Sequence, residues 1–312
     1  RHTRYISVTG VQTCALPILD DQKTVLEKIV LAANETNDKT KRVLIVRGGP
    51  GTGKSVISIN AIARLTGKRL NVRYVTPNAA PRAVFEAKLQ KFFKKADIRS
   101  LFSGSGSFTD TTMNSYDALI VDEAHRLKMK SGMFKNLGEN QIKEIINSAR
   151  TSVFFIDEAQ KVTWSDVGEI NRIEDEANRQ GAEIERLELT SQFRCGGSDD
   201  YLAWLDETLG VYSKTQHFFK KDSFDFRIFD NPRTLHEEIK KKNKINNKSR
   251  MVAGYCWSWI SQKNPSLRDI QIQKYGYEAT WNLTEDGSQW IISPNSVEEV
   301  RSEEHTSELQ SH

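Results

Sequence analysis

The sequence predicts an α/β protein built on a parallel sheet, and three observations carry that expectation. Three short runs, VLIV at residues 43–46, ALIV at 118–121 and VFFI at 153–156, have the unbroken apolar character of strands buried on both faces. Each run ends directly in a loop of chemically distinctive residues: GGPGTGKS, DEAH and DEAQ. Stretches with helical spacing follow the first run and separate the other two, so strand and helix alternate as they must to return a chain to one parallel sheet.

The two ends do not read as folding sequence. RSEEHTSELQSH, residues 301–312, can be written in codons whose reverse complement translates as VTGVQTCALPI, residues 8–18. Residues 1–18 and 301–312 are therefore expected to be non-native, a sequencing-library adapter translated with the gene, and are set aside. A secretory leader, two arginines before the weakly apolar run ending ALPIL, is the alternative, and it leaves the reverse-complement match without a cause.

The chain carries 45 Lys and Arg against 41 Asp and Glu, a formal charge of +4. The end segments hold Arg1, Arg4 and Arg301 against Glu303, Glu304 and Glu308, so the balance is the same without them. A mild basic excess permits a polyanionic partner without demanding one. With Cys14 set aside, Cys195 and Cys256 lack metal-type spacing and fit a reduced intracellular chain, not a disulfide scaffold. No apolar run approaches the roughly 20 residues of a membrane helix. A cytoplasmic chain with no membrane partner is expected, long enough for one domain and much of a second.

The first strand runs into Gly48, Gly49, Pro50, Gly51, Thr52, Gly53, Lys54 and Ser55. Gly48, Gly53, Lys54 and Ser55 satisfy G-x-x-x-x-G-K-[ST], in which glycines let backbone N–H groups curl around phosphate oxygens. Lys54 is expected to reach the β- and γ-phosphates of ATP and the Ser55 hydroxyl to ligate Mg²⁺. SVISINAIARL then has apolar spacing at Val56, Ile59, Ile62 and Ala63, with Gly67 placed to cap the helix. The loop is thus set at a helix N-terminus, where the dipole favours anions. A glycine turn with an accidental lysine would not require this strand and this helix around it.

The second strand ends in Asp122-Glu123-Ala124-His125. An acidic pair beside a phosphate loop suits Mg²⁺ binding by Asp122 through water and orientation of the attacking water by Glu123; His125 is expected to hold local structure. The helix QIKEIINSA sets Ile142, Ile145, Ile146 and Ala149 on one face before the third strand, which ends in Asp157-Glu158-Ala159-Gln160. There the Gln160 amide could sense a γ-phosphate.

This set of motifs resembles the core of superfamily 1 helicases, which carry the phosphate loop, an acidic box, a G-D-x-x-Q box and a strand ending in an N/Q-aromatic-Arg triplet, here Gln192, Phe193 and Arg194 of LTSQFR. Ile156 stands where the first Gly of the third box would be. IVDEAHRL, FFIDEAQKVTW, QFRCGGSDDYLAWLDETL, MVAGYCW and WNLTEDGSQWIISPNSVEEV are, more narrowly, similar to the schlafen group 3 DNA/RNA helicase domain, over nearly all of residues 19–300. The superfamily 2 pattern, which shares DEAH, would add a Ser-Ala-Thr box that is absent.

The resemblance implies that Gln22, in LDDQKTV, reads adenine, and that Arg194 bridges to the γ-phosphate and neutralises charge developing in the transition state. It implies that VTPNAAPRAV, residues 75–84, touches nucleic-acid phosphates through Thr76 and Asn78. Trp164, four residues beyond Gln160, could stack on a base or pack under the following helix.

After Arg194 the chain changes character. GGSDD makes a turn, YLAWLDETL a short amphipathic helix, and FDFRIF at residues 224–229, a helix from Pro232 to about Lys242 and MVAGYCW suggest a second α/β unit. The basic run KKKNKINNKSR, residues 240–250, is expected to be a solvated helix end.

The expectation is a P-loop NTPase with a first RecA-like lobe over residues 19–195 and a second, incomplete one over 196–300. It would hydrolyse ATP and couple lobe closure to movement on single-stranded DNA or RNA. The alternative is an ATP-dependent switch that regulates an attached nuclease or partner without translocation. An AAA-type ring ATPase would place a sensor Asn after the third strand, where Gln160 stands.

Overall fold

The computed structural model describes residues 5–8, 11–14, 20–35, 40–78, 98, 100–132, 136–161, 165–191, 203, 204, 207, 208, 210, 225–254, 256–282, 290 and 293–302. The chain divides into two compact units, residues 1–77 with 94–225, and residues 78–93 with 226–312.

In the first unit the strands β1 (Tyr5–Val8) and β2 (Val11–Cys14) form an antiparallel hairpin. Then come α1 (Asp20–Glu35), β3 (Arg42–Gly48), α2 (Lys54–Gly67), β4 (Val72–Thr76), β5 (Phe102–Gly104) and β6 (Tyr116–Val121). The helix α3 (Gln141–Ser148), β7 (Ala149–Ile156), α4 (Ile170–Arg179) and β8 (Glu183–Leu189) complete it. Six strands make one sheet in the order β5-β4-β6-β7-β3-β8, and every pairing in it is parallel. The expected parallel α/β architecture is therefore present, with all six carboxyl ends on one edge, where ligands of open α/β sheets bind.

Burial explains why the three apolar runs are strands. Val43, Leu44, Ile45 and Val46 are all at most 1% exposed, as a strand covered on both faces must be. On one face Val43, Ile45, Val121 and Phe154 pack with Ile142, Ile145 and Ile146 of α3 and Ile173 and Ala177 of α4. Asn140 starts α3 by accepting from the backbone N–H of Ile142 at 2.9 Å. Burying a side chain such as Ile145 contributes about 1.5–3 kcal/mol.

Two details differ from the sequence expectation. The buried stripe of α2 is Ile57, Ala61, Ile62 and Leu65, while Val56, Ile59 and Ala63 are only half-buried. The helix can turn Ser58 and Asn60 inward because the Ser58 hydroxyl donates to Lys54 O and the Asn60 amide to Val56 O. Gly67 is the last helical residue and not the left-handed cap; that conformation falls on Arg69, at φ 63°.

The second unit contains α5 (Pro232–Asn246), β9 (Met251–Ala253), β10 (Ile270–Ile272), β11 (Tyr277–Trp281) and β12 (Glu299–Ser302). Its sheet has the order β10-β11-β12-β9, antiparallel at the first pairing and parallel at the other two. Ile270, Tyr277, Ala279, Trp281 and Val300 form its core. Over its described residues, 225–229, FDFRIF forms no strand, and Ile228 is 83% exposed. Alternation of aromatic residues gives a segment a strand pattern, but a strand also needs a neighbour to pair with.

Candidate functional site

The loop after β3 is closed by its own short bonds. The Thr52 hydroxyl donates to Gly49 O at 2.9 Å, and a Cβ on Gly48 would lie 2.6 Å from that hydroxyl oxygen. Gly53 has φ 86°, and a Cβ there would lie 2.3 Å from the amide nitrogen of Gln22, so both backbone conformation and close approach require glycine. Gln22 is buried and its amide donates to Thr52 O at 2.9 Å. The residue expected to read adenine is thus also a brace under the loop.

Asp21, beside it, was not a sequence candidate. Its carboxylate accepts from Ser191 N at 3.2 Å and Gln22 N at 2.8 Å, so it ties the chain leaving β8 to the start of α1. Burial alone would raise this carboxyl, but the hydrogen bonds from Ser191 and Gln22 hold it below its usual value.

Lys54 opens α2 and folds back over the loop, where its ammonium donates to Gly48 O at 2.6 Å and Gly49 O at 2.8 Å. It also lies 3.8 Å from Asp157 Oδ2, with both side chains 8% exposed. The sheet order explains this third contact. β7 lies between β3 and β6, so the carboxyl end of β7 is adjacent to the phosphate loop, with β6 one strand further. Asp157 also accepts from the Ala159 N–H at 3.3 Å and the Gln160 amide at 2.8 Å. Gln160 is therefore joined to Lys54 through Asp157, a residue that sequence reasoning passed over in favour of the glutamine.

At the end of β6, Asp122 is 1% exposed. Its Oδ2 accepts from the Tyr74 hydroxyl at 2.7 Å, its Oδ1 from Glu123 N at 3.0 Å, and the Ser55 side chain hydrogen-bonds the same carboxyl. Burial pushes this carboxyl above its usual value, while the hydrogen bonds from Ser55 and Tyr74 oppose the rise. Glu123 occupies the left-handed region at φ 57°, uncommon for a non-glycine and concentrated at functional sites. Its Oε2 lies 3.2 Å from His125 Nε2. Burial would raise Glu123, but His125, Lys54 and Arg126 together hold it below the ordinary glutamate value. His125 is 1% exposed, and its Nδ1 has no partner among the described residues.

Ser55 and Asp122 thus bring a hydroxyl and a carboxylate together at the mouth of the phosphate loop, a hard-oxygen donor set that fits Mg²⁺. The turn after β6, which carries Asp122 and Glu123, is backed by a second segment. Val167 N donates to Leu127 O at 2.7 Å, and a Cβ on Gly168 would lie 1.8 Å from Ala124 O and 2.6 Å from His125 Cα. Lys128 is paired with the buried Asp166. None of these contacts has a local sequence signature, because each joins segments about 40 residues apart.

Thr76 ends β4 and is 0% exposed, and Asn78, two residues on, is half-buried. Gln192, Phe193, Arg194 and Trp164 lie outside the described residues. Among the described residues no helix is long and apolar enough to cross a membrane.

Comparison with known proteins gives distant likenesses and one family. An uncharacterized protein of Saccharomyces cerevisiae is 23% identical over 263 residues, 72% of this chain and 57% of that protein, so the chain spans little more than half of that relative. Among solved structures, replication initiator DnaA bound to AMPPCP and single-stranded DNA is 15% identical over 74% of this chain and 63% of that one, at a TM-score of 0.33. Domain III of the Thermotoga maritima replication initiation protein DnaA is 11% identical over 75% of this chain and 89% of its own, at 0.31. Likenesses of that degree carry no inference about activity. The profile of the Schlafen group 3 DNA/RNA helicase domain, in contrast, matches residues 41–306, which include every loop described above except the Gln22 brace. With the phosphate loop, both acidic boxes and nearly all of the second unit inside that match, the chain belongs to the Schlafen group 3 DNA/RNA helicase domain family.

Proposed function

We propose that this chain binds and hydrolyses ATP as a helicase-like motor domain of the superfamily 1 type, acting on single-stranded DNA or RNA. The observation that carries this reading is the convergence of Lys54, Ser55, Asp122 and Glu123, with Asp157 between them, at the carboxyl ends of three neighbouring strands.

Each residue then has a task set by its surroundings. The backbone N–H groups of residues 48, 49 and 51–55 wrap the β- and γ-phosphates, and the N-terminus of α2 adds its dipole. Lys54, now satisfied by two loop carbonyls and Asp157, exchanges those partners for phosphate oxygens. Ser55 and, through water, Asp122 would hold Mg²⁺, which when bound supplies charge neutralisation on the phosphates. Glu123 stays ionised at neutral pH and orients the attacking water. Gln160 reports the state of the γ-phosphate through Asp157, Gln22 holds the loop and reads adenine, and Arg194 neutralises developing charge. Residues 196–300 serve as a second RecA-like lobe, and Thr76, Asn78 and Trp164 line the nucleic-acid path. Since Thr76 is buried, Asn78 is the side chain of that pair with a route to phosphate.

The test is steady-state ATP hydrolysis with and without single-stranded DNA and RNA, using Lys54→Ala as the control. Stimulation by one polymer, lost in Lys54→Ala, is the expected result. Turnover that neither polymer stimulates favours an ATP-dependent switch acting on an attached nuclease or partner. Turnover retained in Lys54→Ala contradicts the site.

A further inference from the structure

Tyr74 has no part in the motif set above, yet it makes the most buried polar contact of the site. It is the third residue of β4, paired in register with Ile120 of β6, and is 0% exposed. Its ring packs against Phe102 at 5.4 Å between centroids. A position buried this deeply in a parallel strand is ordinarily filled by Val, Ile or Leu, whereas a phenol brings a hydroxyl that must find a partner. The partner is Asp122 Oδ2, at 2.7 Å. With Glu123 N on Oδ1 and Ser55 on the same carboxyl, the Asp122 group cannot rotate without breaking at least one of these bonds.

We propose that Tyr74 is a positioning residue for the metal site: its hydroxyl, donating to Asp122 Oδ2, fixes the orientation of the carboxylate so that Asp122 and Ser55 can share Mg²⁺. The proposal rests on the reading of Ser55 and Asp122 as the Mg²⁺ ligands. Outer partners of metal-binding carboxylates act in this way, and their loss commonly weakens metal affinity 10- to 100-fold. Because Asp122 is assigned to act through water, the lower end of that range applies. Tyr74→Phe removes the donor and little else, since the ring and its packing on Phe102 remain.

The experiment is equilibrium binding of a fluorescent ADP to the full chain, first in EDTA and then across a MgCl₂ titration, with thermal melting of the nucleotide-free protein alongside. Tyr74→Phe is expected to bind ADP like wild type in EDTA, and to need about tenfold more Mg²⁺ for half-maximal tightening. Phe102→Leu thins the same packing but leaves the hydroxyl; it is expected to lower the melting temperature without moving the Mg²⁺ midpoint. A wild-type Mg²⁺ midpoint in Tyr74→Phe overturns the proposal, as does equal weakening with and without Mg²⁺, or loss of the fold, either of which makes the hydroxyl a structural group. If wild type itself binds ADP with no response to Mg²⁺, the reading of Ser55 and Asp122 fails, a result separable from the others because it appears before any substitution.

Discussion

Asp122-Glu123-Ala124 and Asp157-Glu158-Ala159 are the same three residues at the carboxyl ends of adjacent parallel strands, β6 and β7, yet the fold gives them different work. In the first, the aspartate turns toward Ser55 and Tyr74, and the glutamate is held in the left-handed region against His125. In the second, the aspartate caps its own 3₁₀ turn and faces Lys54, while Glu158 points away and accepts from the backbone N–H of Ile170 at the start of α4. The fourth residue marks the difference: His125 reaches back to Glu123, whereas Gln160 reaches back to Asp157. A tripeptide therefore does not specify a role; the strand it ends and the side chains across the sheet do.

The largest expected effect tests that asymmetry directly. Glu123→Gln should lower the rate of ATP hydrolysis roughly 10²- to 10⁴-fold while nucleotide still binds, the range for losing a positioned acid-base group. Glu158→Gln keeps an oxygen acceptor for Ile170 N and should leave the rate within about twofold, since an exposed substitution away from the site costs little. Single-turnover hydrolysis of the two variants side by side decides it, and equal losses would show that the boxes share the chemistry.

The next largest effect comes from a residue that touches neither carboxylate. An alanine Cβ at Gly168 would collide with the backbone of Ala124 and His125, which cannot move without carrying Glu123 along. Gly168→Ala should therefore reduce turnover on the order of 10²-fold, the cost of about 1 Å of misplacement at a reacting group, with nucleotide affinity less affected. An unchanged rate would mean that the turn tolerates the shift.

Gly168 also marks where the sequence stops being legible. The phosphate loop, the two boxes and the three apolar runs could be recognised because each is a local pattern of neighbouring residues. Tyr74, Asp157, Asp21 and Gly168 act through contacts with residues 43 to 170 positions away. Such contacts exist only once the chain is folded, as when the strand order places β4 beside β6 and β7 between β3 and β6, which no single segment encodes. The same limit applies to the α2 stripe, where hydrogen bonds from Ser58 and Asn60 let polar side chains replace the predicted apolar ones. In FDFRIF, alternation is present, yet residues 225–229 form no strand.

A smaller effect sharpens the role of the second box. With no nucleotide, Asp157 competes with phosphate for Lys54 and adds a negative charge where phosphate must go. Asp157→Asn removes both obstacles and should tighten ADP binding roughly three- to tenfold, the scale of one nearby charge after solvent screening. The gain should shrink as salt is raised. Calorimetric titration at two ionic strengths measures it, and weaker binding would indicate that Asp157 supports the loop more than it opposes the ligand.

The smallest effect concerns the platform under both boxes. At the amino-terminal edge of the sheet, Lys41 directs its ammonium at Asn114 Oδ1, Ile146 O, Asn147 O and Ala149 O, joining the start of β3 to the end of α3 and the start of β7. Burial, and after it the charge of Arg150, push this lysine down from 10.5 to about 8. A lysine whose folded value lies below its unfolded one binds fewer protons in the folded state between those two pH values, so folding becomes more favourable as pH rises through that window. Below about 8 both states are protonated and the dependence vanishes. The melting-temperature advantage of wild type over Lys41→Met should therefore be constant from about pH 6 to 7.5 and grow toward about pH 9.5. Taking the difference between the two proteins cancels Tyr74 and Tyr277, whose raised values act in the opposite direction at alkaline pH. A difference that stays flat to pH 9.5 would mean that the four oxygens outweigh burial and keep the ammonium charged, in which case the edge is an electrostatic clamp whose strength does not depend on pH in that range.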